Sequence, residues 1–156
     1  MHIHYISEQN SILNHFLAQI RDVNIQKDSM RFRKNIERIG EIMAYELSKT
    51  LDYKEIDVQT PLGIKHTTTI AEPVVLCSIL RAGLALHQGF MSFFDNAENG
   101  FVSAYRHHYD NDDKFEILVE YQAAPSFEGK NLILIDPMLA TGQSLVAVLH
   151  KLHLEH

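Results

Sequence analysis

At 156 residues, with 46% hydrophobic content and a formal net charge of −6, the chain is of a size to bury roughly two thirds of its unfolded surface as one domain. The acidic balance excludes a broad nucleic-acid footprint, which needs a basic face to displace counterions from a phosphate backbone. No apolar stretch reaches transmembrane length and no basic region leads into a hydrophobic signal core, so no membrane partner is expected and the cytoplasm is the expected setting.

The first elements are helical by period. Ile12, Phe16 and Ile20 recur at helical spacing, and after the polar break at 24–29 the series Phe32, Ile36, Ile39, Met43 and Leu47 repeats it. Two amphipathic helices with core-facing stripes follow from this pattern. Arg31 and Arg33 put charge near the start of the second. Ile56 and Val58 then alternate with charged neighbours before Thr60-Pro61-Leu62-Gly63, which has hairpin-turn chemistry, and residues 64–70 return as a second strand. Residues 1–70 therefore read as helices plus a hairpin arm, ahead of a core in 71–156.

The period changes at Pro73. Val74 to Leu80 is a continuous apolar run of the kind buried on both sheet faces, with the single cysteine, Cys77, inside it as a small core residue. Arg81-Ala82-Gly83 is a tight turn and Leu84 to Phe94 an apolar helix, which together make half of a βαβ unit. Phe101 to Tyr105 is the next strand, 109–114 a polar, acidic hairpin loop, and Phe115 to Tyr121 its returning partner. Residues 125–129 lead into a last strand, Asn131 to Ile135. The order predicts an α/β domain with a largely parallel sheet and helices on its faces. Ten histidines include His2 with His4, adjacent His107 and His108, and His150, His153 and His156 along one helix face; none is joined by a cysteine or carboxylate in a zinc-like arrangement, and solvated side chains are the simpler reading.

The most informative stretch is Ile135-Asp136-Pro137-Met138-Leu139-Ala140-Thr141-Gly142-Gln143-Ser144, which sets a carboxylate, a small-residue turn and two hydroxyls between an apolar strand and an apolar helix. The chain must turn sharply there, leaving the amides of Ala140 to Ser144 outward at the positive end of a helix, a site for an anion. Thr141 and Ser144 add donors, and Gly142 lets a phosphate approach the backbone. Asp136 would repel a phosphate, so its fitting partner is a pair of sugar hydroxyls; the whole reads a ribose 5-phosphate. The alternative is a helix N-cap by Thr141 or Ser144, with Asp136 capping the strand end. The Lys of a Walker loop and the three-glycine spacing of a dinucleotide fold are both missing.

Asp136-Pro137-Met138-Leu139-Ala140-Thr141-Gly142 followed by Ser144 resembles the phosphoribosyl-pyrophosphate (PRPP) loop of type I phosphoribosyltransferases in the form used by the uracil phosphoribosyltransferase family. The lone acid before Pro137 selects that branch. Ser78 to Leu84, Tyr105-Arg106, Val119-Glu120-Tyr121, Arg31-Phe32-Arg33 and Tyr45-Glu46 also fall where that family places similar residues, so the likeness covers nearly the whole chain. Gln143 stands where the family commonly has Gly; if that backbone needs a positive φ, Gln strains it by about a kcal/mol or more.

The resemblance implies an enzyme that transfers the phosphoribosyl group of PRPP to uracil, giving UMP and pyrophosphate, and acting as a dimer to which the hairpin arm contributes. Its implied PRPP-binding residues are Arg81, Arg106 and 136–144, with Arg81, Arg106 and Asp136 serving the reaction and Mg2+ arriving mainly on PRPP. Without the family match, Arg81 is an exposed turn residue and Arg106 a surface ion pair with Asp110, Asp112 or Asp113. Family members continue beyond this length with a base-binding segment, so 1–156 is expected to be one C-terminally truncated domain. The alternative function is a PRPP- or nucleotide-binding regulatory domain without turnover. A parallel sheet lacking its next strand should also leave the edge of 131–135 open and prone to self-association.

Overall fold

The computed structural model describes residues 2–108 and 115–155, with side chains given for all of these except 106–108, 115–118 and 153–155; the acidic loop expected at 109–114 lies outside the described residues. After a 3-10 turn at Ile6–Glu8, helix α1 spans Ile12–Arg21 and α2 spans Ser29–Ser48. Each is started by a side chain that satisfies a first-turn amide: Ser11 accepts from Leu13 N–H, and Asp28 accepts from Arg31 N–H at 3.0 Å. The phase of α1 differs from the expected stripe. Leu13 is buried, whereas Ile12 is 61% exposed, so the inward line runs Leu13, Phe16, Leu17, Ile20. His2 and His4 do not lie on a strand but in the irregular segment ahead of the first turn.

The hairpin forms as expected from strands β1 (Tyr53–Thr60) and β2 (Gly63–Ile70), antiparallel with Thr60 opposite Gly63. Gly63 has φ 135, a value that a side chain disfavours, and Thr60 Oγ1 donates to its carbonyl at 2.7 Å. The arm's residues are mostly exposed; only its base, at Leu51 and Ile70, packs on the core.

Strands β3 (Val74–Leu80), β4 (Glu98–His108), β5 (Phe115–Ala123) and β6 (Asn131–Ile135) form a second sheet in the order β5-β4-β3-β6. β3 pairs in parallel with both β4 and β6, and β5 runs antiparallel along the outside of β4. The strand β6 is therefore an edge. Helices α3 (Leu84–Met91) and α4 (Gln143–Glu155) follow β3 and β6. Alternation along β3 divides the core: Val74 and Leu76 join α1, α2 and α3 on one face, while Cys77 and Ile79 meet Val148 and Leu152 of α4 on the other. Burial pushes the Cys77 thiol up to about 11, so it stays protonated at neutral pH.

Several boundaries depart from the sequence reading: β4 begins at Glu98 rather than Phe101, and β5 ends at Ala123 rather than Tyr121. Helix α3 ends at Met91 rather than Phe94, where Ser92 Oγ donates to Gln88 O and Phe93 N–H closes a tighter turn on Phe90 O. Strand β4 runs on to His108, five residues past its last parallel pair, Leu80 with Ser103. Beyond that pair its only ladder is the one with β5.

Candidate functional site

The helices after β3 and β6 cover opposite sheet faces, so the carboxyl ends of these neighbouring strands form a topological switch point, the usual place for a ligand crevice in an open α/β sheet. One wall is the turn Arg81-Ala82-Gly83. Gly83 donates its amide to Ile79 O at 2.9 Å and accepts from His87 N–H at 2.8 Å as α3 begins. A Cβ on Gly83 would lie 2.8 Å from Ile79 O and 3.0 Å from Ile135 O, so the turn rests against the last residue of β6 and leaves room for no side chain. The Leu80-Arg81 peptide is cis, and Arg81 is exposed.

The opposite wall is the stretch 136–142. Ser78 sits level with Ile135 in the parallel register, which sets Asp136 beside the Arg81 turn. Asp136 is half-buried, and one carboxylate oxygen accepts from Met138 N–H at 3.3 Å. That bond fixes the carboxylate at the strand end and leaves its second oxygen for a ligand. Positive φ occurs at Ala140 (46) and Gly142 (74), alternating along the turn as in an amide nest. Gln143, by contrast, is the first residue of α4 and is not in the left-handed region. The conformational cost expected there falls instead on Ala140.

The outward amides are fewer than the sequence suggested. Gly142 N–H is spent on Leu139 O at 2.7 Å, and Gly142 O receives Val146 N–H at 2.9 Å. Val146 N–H is the first amide of α4 to find a carbonyl one turn back, so the amides ahead of it keep their need for acceptors. Met138 and Leu139 are exposed at 74% and 63% beside this turn, an apolar rim next to a polar cradle.

Arg106 does not follow a strand end as Arg81 and Asp136 do. Its backbone lies within β4, paired with Ile117, three residues past the last parallel pair at Ser103; its side chain is outside those described. Its backbone lies past the carboxyl end of β3, on the stretch of β4 that pairs only with β5. Nearby, the Tyr105 hydroxyl donates to Glu120, and that bond makes the phenol hold its proton more tightly than usual. No three His, Cys, Asp or Glu side chains converge as a cation site among the described residues, and no described helix is long and apolar enough to cross a membrane.

Sequence reasoning missed one polar cluster below the crevice: Ser78, His87 and Asn99, linked through the His87 ring. A serine on the otherwise apolar α3-facing side of β3 was the available signal.

Residues 6–156 match the family model described as uracil phosphoribosyltransferase. A uracil phosphoribosyltransferase of Porphyromonas gingivalis is 49% identical over 145 residues, covering 93% of this chain and 67% of the relative. One from Methanothermobacter thermautotrophicus is 37% identical, covering 92% and 65%. The chain thus spans about two thirds of the length of these relatives. Among solved structures, the AQ2163 protein from Aquifex aeolicus superposes with TM-score 0.79 at 29% identity over 92% of this chain and 67% of its own. A hypoxanthine phosphoribosyltransferase from Staphylococcus aureus shares the fold at TM-score 0.53 and 17% identity, covering 78% and 56%.

Proposed function

The chain belongs to the uracil phosphoribosyltransferase family, and on that premise we propose that it transfers the 5-phosphoribosyl group of PRPP to uracil, a step of pyrimidine salvage in the cytoplasm. The observation that carries the proposal is the juxtaposition of two turns at the carboxyl ends of neighbouring parallel strands. A lone carboxylate, two hydroxyls and a turn with positive φ at 140 and 142 stand at the end of β6, against the Arg81 turn at the end of β3.

Displacing pyrophosphate from the anomeric carbon builds negative charge on the leaving group and positive charge on the ribose ring. Arg81 and Arg106 serve the first as bidentate donors, and Asp136 serves the second while gripping the ribose hydroxyls. The 5-phosphate takes the first-turn amides of α4 with Thr141 and Ser144, and Pro137 to Gln143 shape that cradle. Magnesium supplies charge neutralisation on the pyrophosphate when bound.

Calorimetric titration of PRPP with magnesium tests this reading. Binding is expected, and Asp136→Ala should weaken it about tenfold to a hundredfold, the worth of charge-assisted hydrogen bonds. Equal binding by the variant would remove Asp136 from the site. A second reading, a PRPP-binding domain without turnover, rests on the same turn at the end of β6. Uracil-dependent pyrophosphate release by this chain, and by a version extended to the relatives' length, separates the two: release only by the longer form favours the binding domain.

A further inference from the structure

Directly beneath the Arg81 turn, three polar side chains from three elements form a closed relay. Ser78 of β3 is fully buried and His87 of α3 is 3% exposed. Ser78 Oγ lies 2.8 Å from His87 Nδ1, and His87 Nε2 lies 2.8 Å from Asn99 Oδ1 on β4. Asn99 Nδ2 donates to Ala97 O at 3.3 Å, which turns Oδ1 toward the histidine. An acceptor there requires Nε2 to carry the proton, so in the neutral ring Nδ1 accepts from the Ser78 hydroxyl. The face of the imidazole meets Phe101 at 5.0 Å between ring centres. Burial disfavours the charged ring, in keeping with the neutral form.

A serine, a histidine and an amide in this order have the connectivity of an acyl-transfer triad. That role is excluded here, because Ser78 has no exposed surface and no substrate could reach its oxygen. What the relay does touch is the turn above it. The ideal Cβ position of Gly83 lies 3.2 Å from Ser78 Cβ and 3.0 Å from Ile135 O, and His87 N–H donates to Gly83 O at 2.8 Å. One residue thus holds Gly83 through its backbone and, through its ring, the serine on which Gly83 rests.

We propose that His87, protonated at Nε2, is a positioning residue. Its bonds to Ser78 and Asn99 lock the carboxyl end of β3, the start of α3 and the start of β4 to one another, and so fix the Arg81-Ala82-Gly83 turn against the end of β6. The consequence for ligand rests on the proposed function above: a turn held in this way presents Arg81 to pyrophosphate without an ordering cost on binding.

The test uses the whole chain and three variants. Ser78→Ala removes the hydroxyl and little packing, His87→Asn keeps an acceptor for Ser78, and His87→Phe removes both bonds. Amide hydrogen exchange is read at 82–84 against Val102 in the core as a monitor of global opening. Exchange at 82–84 should quicken severalfold in Ser78→Ala and His87→Phe while that of Val102 does not, and His87→Asn should restore part of the protection. Long-range nitrogen spectra of the wild-type ring at neutral pH should show the Nε2–H tautomer. Unchanged exchange at 82–84 in Ser78→Ala, or a charged or Nδ1–H ring, overturns the proposal; Ser78→Ala carries the test alone if His87→Phe does not fold. Magnesium-PRPP titration adds the functional arm, with about fivefold to tenfold weaker binding expected in Ser78→Ala for one lost buried hydrogen bond. If the wild type binds no PRPP yet the exchange responds, the functional reading fails and the positioning role stands.

Discussion

At the scale of single residues, His87 and Gly142 each give a checkable outcome. Burial lowers the His87 pKa below its ordinary 6.5, so the folded state binds fewer protons than the unfolded one between that depressed value and 6.5. Stability is whole above this window and is lost as pH falls through it. Melting temperatures at pH about 7.5 and 5.5 should fall further for the wild type than for His87→Gln, which cannot titrate; an equal fall would deny the histidine this role. Gly142 has φ 74, and a side chain there would make only an ordinary van der Waals contact, with Leu139 Cδ1 at 3.7 Å. Gly142→Ala should therefore cost about 1 kcal/mol through backbone conformation alone, seen as a shifted denaturant midpoint with an unchanged slope. Sequence resolved such residues unevenly. The segment 136–144 announced itself because its small, polar residues interrupt two apolar runs, whereas His87 stayed hidden. Its partners lie 9 and 12 residues away in sequence and meet it only through a parallel crossover, which no local period records.

At the scale of elements, the crossing of α2 with α3 is set by two glycines. A Cβ on Gly89 would lie 2.1 Å from Glu37 O, and one on Gly40 would lie 2.5 Å from Leu86 O, so the two backbones touch where they cross. Gly89→Ala should force the helices apart and cost about 3 kcal/mol or more by overpacking, measurable by urea denaturation; a loss within a few tenths would mean that the crossing yields easily. Helix and strand identities were legible from the periods of their apolar residues, down to the bounds of β3 and β6. Phase and length were less so. Ile12 and Leu13 are adjacent apolar residues and either could lead the stripe of α1; packing against α2 decided for Leu13. Strand β4 outruns its parallel partner because β5 supplies a second ladder, and that extension drew Arg106 from a strand end into a strand.

At the scale of the whole molecule, the sheet and its four helices form the body, and the β1-β2 hairpin stands away from it with most of its surface in solvent. Leu62, at the tip, is 101% exposed. Limited digestion with a protease that cuts at large apolar residues should nick the tip first, and the nicked chain should keep the melting temperature of the intact one. Early cuts within β3 or α3 would contradict that division. The same independence makes the tip a port for engineering. Foreign sequence spliced between Pro61 and Gly63 would meet no neighbouring side chain, so a fluorophore or an affinity peptide carried there could report on the molecule, or tether it, while the crevice at the far end of the sheet goes on undisturbed.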